Sequence, residues 1–150
     1  MKLPERTRAF ITGGGGGLGR ALGVELARTR GGRVLVADVD AARAQETAAL
    51  VNAAGGEAEA FACDVTRPDE LARGADEMDR RFGGTDLVVN NAGVAGAGPV
   101  GEVPLEDWRW IVDVNLWGVI HGCHAFVPRL KARGAGFVLN VASSAGIACL

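Results

Sequence analysis

The 150-residue sequence predicts an α/β fold in which helices cover both faces of one doubly wound parallel sheet. Short β-branched runs alternate with longer helical stretches, the strand candidates are almost continuously apolar, and the first of them runs straight into five glycines. Right-handed crossovers between such strands favour the spatial order 3-2-1-4-5. Because no linker or repeat interrupts this alternation, we expect a single domain over residues 1–150.

Each predicted strand is a short apolar run that ends in glycine or polar residues, and each predicted helix shows a longer, amphipathic pattern. In the first helix, Leu18, Leu22 and Leu26 share one apolar face. Pro68 suits the first turn of the third helix, and acidic residues open the last one. The predicted strands are Arg8–Thr12, Arg33–Ala37, Glu57–Ala62, Asp86–Asn90 and Gly136–Val141. The predicted helices are Leu18–Arg30, Asp40–Ala54, Pro68–Phe82 and Pro104–Lys131.

Composition excludes several classes of function. A net charge of -2 provides no positive electrostatic potential to attract the phosphates of a nucleic acid. No apolar run is long enough to span a membrane. Cys63, Cys123 and Cys149 form no paired motif, which favours a reducing, cytoplasmic location. His121 and His124 lie one helical turn apart, but further metal ligands at a suitable spacing are missing, so we expect no metal site.

The segment Thr12-Gly-Gly-Gly-Gly-Gly-Leu-Gly19 joins the first strand directly to the first helix. Glycine permits positive φ angles and the close approach of a pyrophosphate, which the amides at the start of the helix then bind. A merely flexible turn is the alternative explanation of five adjacent glycines. The residues predicted to bind a cofactor here are Gly13, Gly15, Gly16, Gly17, Leu18 and Gly19.

Asp38 ends the second strand, 19 residues after Gly19, where a dinucleotide site requires an acid for the ribose hydroxyls. A carboxylate accepts hydrogen bonds from both hydroxyls and repels a 2′-phosphate. No arginine or lysine adjoins Asp38 in the sequence or lies within the glycine turn, so NAD is favoured over NADP. Asp38 could instead cap the second helix, but Asp40 is better placed to do so. Together these features predict a Rossmann-type NAD site.

Five motifs, in order along nearly the whole chain, resemble those of the short-chain dehydrogenase/reductase family. They are Thr12-Gly13-x-x-x-Gly17-x-Gly19, Cys63-Asp64-Val65, Asn90-Asn91-Ala92-Gly93, Asp113-Val-Asn115 and Asn140-Val-Ala-Ser143-Ser-Ala-Gly146. The resemblance implies that Asp64 and Val65 meet the adenine and that Asn91, Ala92 and Gly93 line the path of the cofactor.

The same resemblance implies two catalytic residues in this chain. Ser143, chosen over Ser144 by its distance from Gly146, would hydrogen-bond the substrate oxygen where charge develops. Asn115 would point inward from its helix and hold a water of a proton relay, at a local helix break that Gly118 eases.

The family resemblance further implies a tyrosine as general acid about thirteen residues beyond the serine, followed one turn later by a lysine. That position lies past Leu150, and the chain contains no tyrosine. We therefore expect an N-terminal portion of an enzyme that is inactive by itself and that aggregates or folds poorly when expressed alone.

The function predicted for the complete enzyme is NAD-dependent hydride transfer to or from a small alcohol or ketone, in a homo-oligomer (dimer or tetramer). The alternatives are a non-catalytic nucleotide-binding or redox-sensing module and an inactive gene fragment. If the chain ended at Leu150, the fifth strand would form a bare edge of the sheet, without the covering helix that the family resemblance implies.

Overall fold

The computed structural model describes residues 2–96, 98–99 and 101–143. Every predicted strand and helix is present, with ends that differ from the predicted ones by at most two residues. The strands are β1 (Arg8–Thr12), β2 (Arg33–Asp38), β3 (Glu57–Ala62), β4 (Leu87–Asn90) and β5 (Phe137–Asn140). The helices are α1 (Gly17–Arg30), α2 (Ala41–Ala53), α3 (Pro68–Phe82), α4 (Leu105–Val112) and α5 (Gly118–Arg133), and a π-helical turn, Asp113–Trp117, joins the last two.

The strands form one parallel sheet in the order β3-β2-β1-β4-β5, so the predicted fold class and strand order are confirmed. In register, Thr12 pairs with Ala37 and Asn90 with Asn140. Because all the strands run in the same direction, their carboxyl ends meet at one edge of the sheet. The glycine turn, Asp38 and the segment after β4 all lie at this edge.

Apolar side chains fill both faces of the sheet. On one face, Phe10 of β1 packs against Phe126 of α5, with ring centroids 4.6 Å apart, and against residues of α3. On the other face, Ile11 and Val34 pack with Val51 of α2. The central strands β1, β2 and β4 are thus buried on both sides, which explains their continuous apolar sequence.

The apolar face predicted for α1 is buried only in part, because Leu22 and Leu26 pack against the core and Leu18 does not. Leu18 is 53% exposed, whereas the buried positions of the helix are Gly19, Gly23 and Ala27. A Cβ on Gly23 would lie 3.3 Å from Val51 Cγ2 of α2. Small residues therefore occupy the fully buried positions of α1, because neighbouring elements approach the helix closely there.

The long helix predicted over Pro104–Lys131 is interrupted, and the local break expected near Gly118 is found as the π-helical turn Asp113–Trp117. A Cβ on Gly118 would lie 2.7 Å from Val65 Cγ2, so this glycine lets α5 lie against the segment after β3. None of the helices in the described ranges is long and apolar enough to cross a membrane.

Candidate functional site

The turn between β1 and α1 requires glycine where it meets the rest of the chain. Gly13 has a φ of +61° and Gly17 one of +50°, in the left-handed region that side chains disfavour. A Cβ on Gly13 would lie 2.8 Å from Ala92 Cα, and one on Gly19 would lie 2.5 Å from the Gly13 carbonyl oxygen. A Cβ on Gly17 would meet no described atom within 4 Å. The turn is therefore packed against the segment after β4 on one side and open on the other.

The first turn of α1 presents its backbone N–H groups to this open side. Gly16 is the N-cap residue, and no side chain in the described part of the chain caps the helix. The N–H groups and the positive end of the helix dipole favour an anion here. Arg20 donates to the Gly15 carbonyl oxygen at 2.6 Å and to Thr47 Oγ1 at 2.9 Å, which ties the turn to α2.

Asp38 faces the glycine turn from the end of β2. Its Oδ2 accepts a hydrogen bond from the Gly15 N–H at 2.8 Å, and its Oδ1 accepts one from the Asp40 N–H at 3.0 Å. Asp40 caps α2 by accepting from the N–H groups of Ala42 and Arg43. The assignment of the cap to Asp40 is therefore confirmed, and Asp38 stays half-buried on the wall of a cavity.

The segment after β4 fixes the glycine turn in place. Asn91 Nδ2 donates to the carbonyl oxygens of Thr12 and Gly13 at 2.9 and 3.1 Å. The buried Thr12 Oγ1 accepts hydrogen bonds from the N–H groups of Asn91 and Ala92, both at 3.0 Å. Asn91 thus shapes the turn itself, and Thr12 supports the site although sequence reasoning gave it no role.

A cavity of about 810 Å³ extends along this edge of the sheet, with α4 on its far side. It is lined by ten of the residues predicted to bind a cofactor: Gly13, Gly16, Gly17, Leu18, Asp38, Asp64, Val65, Asn91, Ala92 and Gly93. The other two, Gly15 and Gly19, are buried beneath the turn. Sequence reasoning missed Arg43 and Trp110, which also line the cavity.

The wall after β3 is a tight turn around Asp64. Its Oδ1 accepts hydrogen bonds from the Thr66 N–H at 2.9 Å and from Thr66 Oγ1 at 2.8 Å, and its own N–H donates to Glu70 Oε2 at 2.8 Å. Burial, together with the negative charges of Glu70 and Asp64, raises the pKa of the Cys63 thiol to about 12. Cys63 therefore stays protonated and serves as an apolar wall residue, not a nucleophile.

Asn115 lies in the π-helical turn, and its exposure differs from the inward orientation that was predicted. Its side chain makes hydrogen bonds with the backbone of Val94. Its Oδ1 accepts from the Val94 N–H and its Nδ2 donates to the Val94 carbonyl oxygen, both at 2.8 Å. The wider π-helical turn carries the amide toward the segment after Gly93, a long-range contact that helix periodicity does not reveal.

Ser143 is exposed and follows the end of β5 by three residues. Asn90 and Asn140 are paired in register at the ends of the neighbouring strands β4 and β5. Gly93 and Ser143 each lie three residues beyond this pair. The structure thus places Ser143 at the same edge of the sheet as the cavity, although not among its lining residues. Ser144 lies outside the described residues.

Arg43 is brought to the glycine turn by α2. It lies five positions after Asp38 and is therefore not one of the immediate sequence neighbours of that residue. A Cβ on Gly16 would collide with the Arg43 guanidinium. In the sequence, Arg43 falls in the first turn of the helix that follows Asp38, and that position could have indicated that Arg43 lies near the glycine turn.

Comparison with known sequences identifies relatives over nearly the whole chain. The sequence model of the family described as short chain dehydrogenase matches residues 7–149. The probable oxidoreductase EphD of Mycobacterium bovis is 38% identical over 145 residues, which make up 96% of this chain and 24% of that protein. The D-threitol dehydrogenase of Mycolicibacterium smegmatis is 35% identical over 142 residues, or 95% of this chain and 54% of that protein.

Solved structures share the fold. The structure of NAD⁺-bound xylitol dehydrogenase matches with a TM-score of 0.94 and 29% sequence identity, over 99% of this chain and 57% of that one. The chain therefore spans only about a quarter to somewhat over half of the length of these proteins.

Proposed function

The chain belongs to the short-chain dehydrogenase family, and on that basis we propose that it binds NAD for hydride transfer between nicotinamide and an alcohol or ketone. One observation carries the proposal: the glycine turn, Asp38 and the segment after β4 line the same cavity. The NAD⁺-bound state of the similar xylitol dehydrogenase and the name of the D-threitol dehydrogenase support the cofactor and the substrate class. When bound, NAD would supply the hydride chemistry.

The residues of the cavity fit a dinucleotide. The uncapped start of α1 and the open space beside Gly17 suit the pyrophosphate, and the Asp38 carboxylate suits the ribose hydroxyls. Asp64 and Val65 would meet the adenine, while Ala92 and Gly93 would line the path toward the nicotinamide. These 150 residues would form one NAD-binding domain.

Ser143 and Asn115 would act on the substrate side of this domain. We propose that Ser143 donates a hydrogen bond to the substrate oxygen, on which negative charge builds during reduction. Asn115 would act as a positioning residue that holds the Val94 backbone next to Gly93.

We further propose that the protein works as a homo-oligomer in a reducing, cytoplasmic setting. Leu116, Trp117 and Ile120 expose 41% to 54% of their area along one helical stretch, which supports association. Cys63 and Cys123 are both unpaired, which supports a reducing compartment.

Calorimetric titration with NAD⁺ tests the cofactor assignment. The D38N substitution keeps the shape of the side chain and removes the charge that strengthens hydrogen bonds to the ribose, so Kd should rise about tenfold. The matched control is D76N, which removes one charge from the exposed Asp76 of α3 and should leave Kd unchanged. If D38N binds NAD⁺ as tightly as the control, Asp38 does not hold the ribose.

Consumption of NADH with a panel of ketones, measured on the chain extended past Leu150 to include the expected tyrosine and lysine, separates the enzyme from a non-catalytic binding module. An enzyme oxidises NADH with at least one ketone, and S143A slows that reaction without weakening NAD⁺ binding. NAD⁺ binding without NADH oxidation by any ketone would favour the module.

A further inference from the structure

Arg43 and Asp38 lie side by side along the glycine turn. A Cβ built on Gly15 would lie 2.8 Å from Arg43 Cβ and also 2.8 Å from Asp38 Oδ2. At the next residue, Gly16, the Arg43 guanidinium occupies the space that a Cβ would need. The absence of side chains at these two glycines therefore lets an arginine from α2 reach the wall of the cavity beside the ribose-binding carboxylate.

The Arg43 guanidinium makes no ion pair and no hydrogen bond within the described part of the chain, although its backbone N–H is held by Asp40 Oδ1 at 3.1 Å. Arg20, which also reaches the turn, differs because its guanidinium is engaged by Glu46, Thr47 and the turn itself. The Asp38 carboxylate accepts hydrogen bonds from two backbone N–H groups. Arg43 thus presents an unpaired positive charge next to the ribose position.

We propose that Arg43 is a second cofactor-selecting residue, which binds a phosphate on the 2′-oxygen of the adenine ribose and allows the chain to accept NADP as well as NAD. The inference rests on the proposed function, because it places the ribose beside Asp38. The planar guanidinium can donate two parallel hydrogen bonds to phosphate oxygens. Its charge offsets the repulsion between Asp38 and the phosphate, so rejection of NADP is weaker than Asp38 alone would produce.

The position of Arg43 favours the 2′-phosphate over the pyrophosphate as its ligand. The guanidinium lies against Gly16, on the Asp38 side of the turn. A Cβ on Gly17, by contrast, would meet no described atom within 4 Å, so the Arg43 side chain lies beside Gly16 and leaves the space next to Gly17 open. That space belongs to the pyrophosphate under the proposed function.

The test is calorimetric titration of the chain with NAD⁺, NADP⁺, 2′-AMP and 5′-AMP. In R43A, we expect the ratio of Kd for NADP⁺ to Kd for NAD⁺ to rise about tenfold, equivalent to roughly 1.4 kcal/mol, and binding of 2′-AMP to weaken relative to 5′-AMP. R43K keeps the charge but loses the paired donors, so it should fall between R43A and the unchanged chain. R28A, which removes an exposed charge from α1, should leave the ratio unchanged.

Melting temperatures of all variants check that α2 stays folded. A change in the ratio of less than about threefold in R43A would overturn the role of Arg43, because lost phosphate contacts shift the ratio by more than that. The role of Arg43 would also be overturned if R43A lost affinity for NAD⁺ and NADP⁺ equally, because that result would indicate a contact with the pyrophosphate. Failure of the unchanged chain to bind NADP⁺ would overturn it as well. Failure to bind NAD⁺ as well would overturn the proposed function itself.

Discussion

Asn115 shows how one side chain can organise a segment far from it in sequence. Its amide satisfies both backbone groups of Val94, one as acceptor and one as donor, at 2.8 Å each. Since Val94 directly follows Gly93, these bonds hold the end of the cavity against the π-helical turn. The position of the Gly93 backbone therefore depends on a hydrogen-bond pair that spans 21 residues.

Two substitutions of Asn115 should separate its two hydrogen bonds. N115D keeps an acceptor for the Val94 N–H but loses the donor, whereas N115A loses both. We expect hydrogen exchange of the Val94 amide to become about fivefold faster in N115A, as the loss of a bond worth about 1 kcal/mol implies, and to change less in N115D. Equal exchange rates in N115A and the unchanged chain would show that Asn115 does not protect this amide.

At the scale of elements, α5 lies close to β4 because Gly122 has no side chain. A Cβ there would collide with the Asn90 Oδ1 atom, which is buried and has no hydrogen-bond partner among the described residues. Asn90 Nδ2 in turn donates to Asn140 Oδ1 at 2.8 Å and so links β4 to β5. One glycine therefore allows the helix to pack against the two strands that precede Gly93 and Ser143.

The substitution G122A should be destabilising, although alanine is the better helix former. The added methyl group would force α5 away from Asn90 and lower the free energy of unfolding by about 1–3 kcal/mol, as overpacking does in other cores. The matched control is G23A, also inside a helix, where the new Cβ would lie 3.3 Å from the Val51 side chain.

Urea unfolding measures both variants. We expect G23A to lie within about 1 kcal/mol of the unchanged chain, since a gain in helix propensity offsets mild crowding. A G122A chain as stable as G23A would show that α5 can shift away from Asn90 at little cost.

At the scale of the whole molecule, an ion-pair cluster closes the edge of the sheet opposite the cavity. Arg8 at the start of β1 donates through Nε to Asp86 Oδ2 at 2.8 Å and through Nη1 to the Gly83 carbonyl oxygen at 3.0 Å. Arg133 at the end of α5 lies 3.7 Å from Asp86 Oδ1. The cluster thus joins β1, the loop after α3 and the last turn of α5.

Asp86 should make the stability of the fold sensitive to acid. Burial acts to raise its pKa, but the hydrogen bonds and charge of Arg8 outweigh it and lower the pKa below the ordinary value of 3.8. A carboxyl whose pKa is depressed by folding stabilises the protein above its unfolded pKa, and this contribution disappears as the pH falls through the folded value. We therefore expect D86N to be less stable than the unchanged chain near neutral pH.

Urea unfolding between about pH 6 and pH 3 measures this dependence, because the window spans the ordinary carboxyl pKa. The difference in unfolding free energy between the unchanged chain and D86N should shrink as the pH falls below about 4. A difference that stays constant over the whole range would show that the charge of Asp86 does not contribute.

Several features of the site follow from local sequence alone. Positive φ angles at Gly13 and Gly17, the cap formed by Asp40 and the place of Asp38 at the end of β2 each depend on a residue and its immediate neighbours. Arg43 could not be found in this way, because its proximity to Gly16 depends on how α2 packs beside α1.

The sequence by itself determined the alternation of strands and helices, the strand order and the glycine turn, because apolar periodicity, turn chemistry and crossover handedness are local or generic rules. Only the tertiary structure decided that small residues of α1 face the interior, that Asn115 binds the Val94 backbone and that Arg43 lies beside Asp38. These contacts join different elements, so they depend on the distances at which helices and strands pack, which no single stretch of sequence encodes.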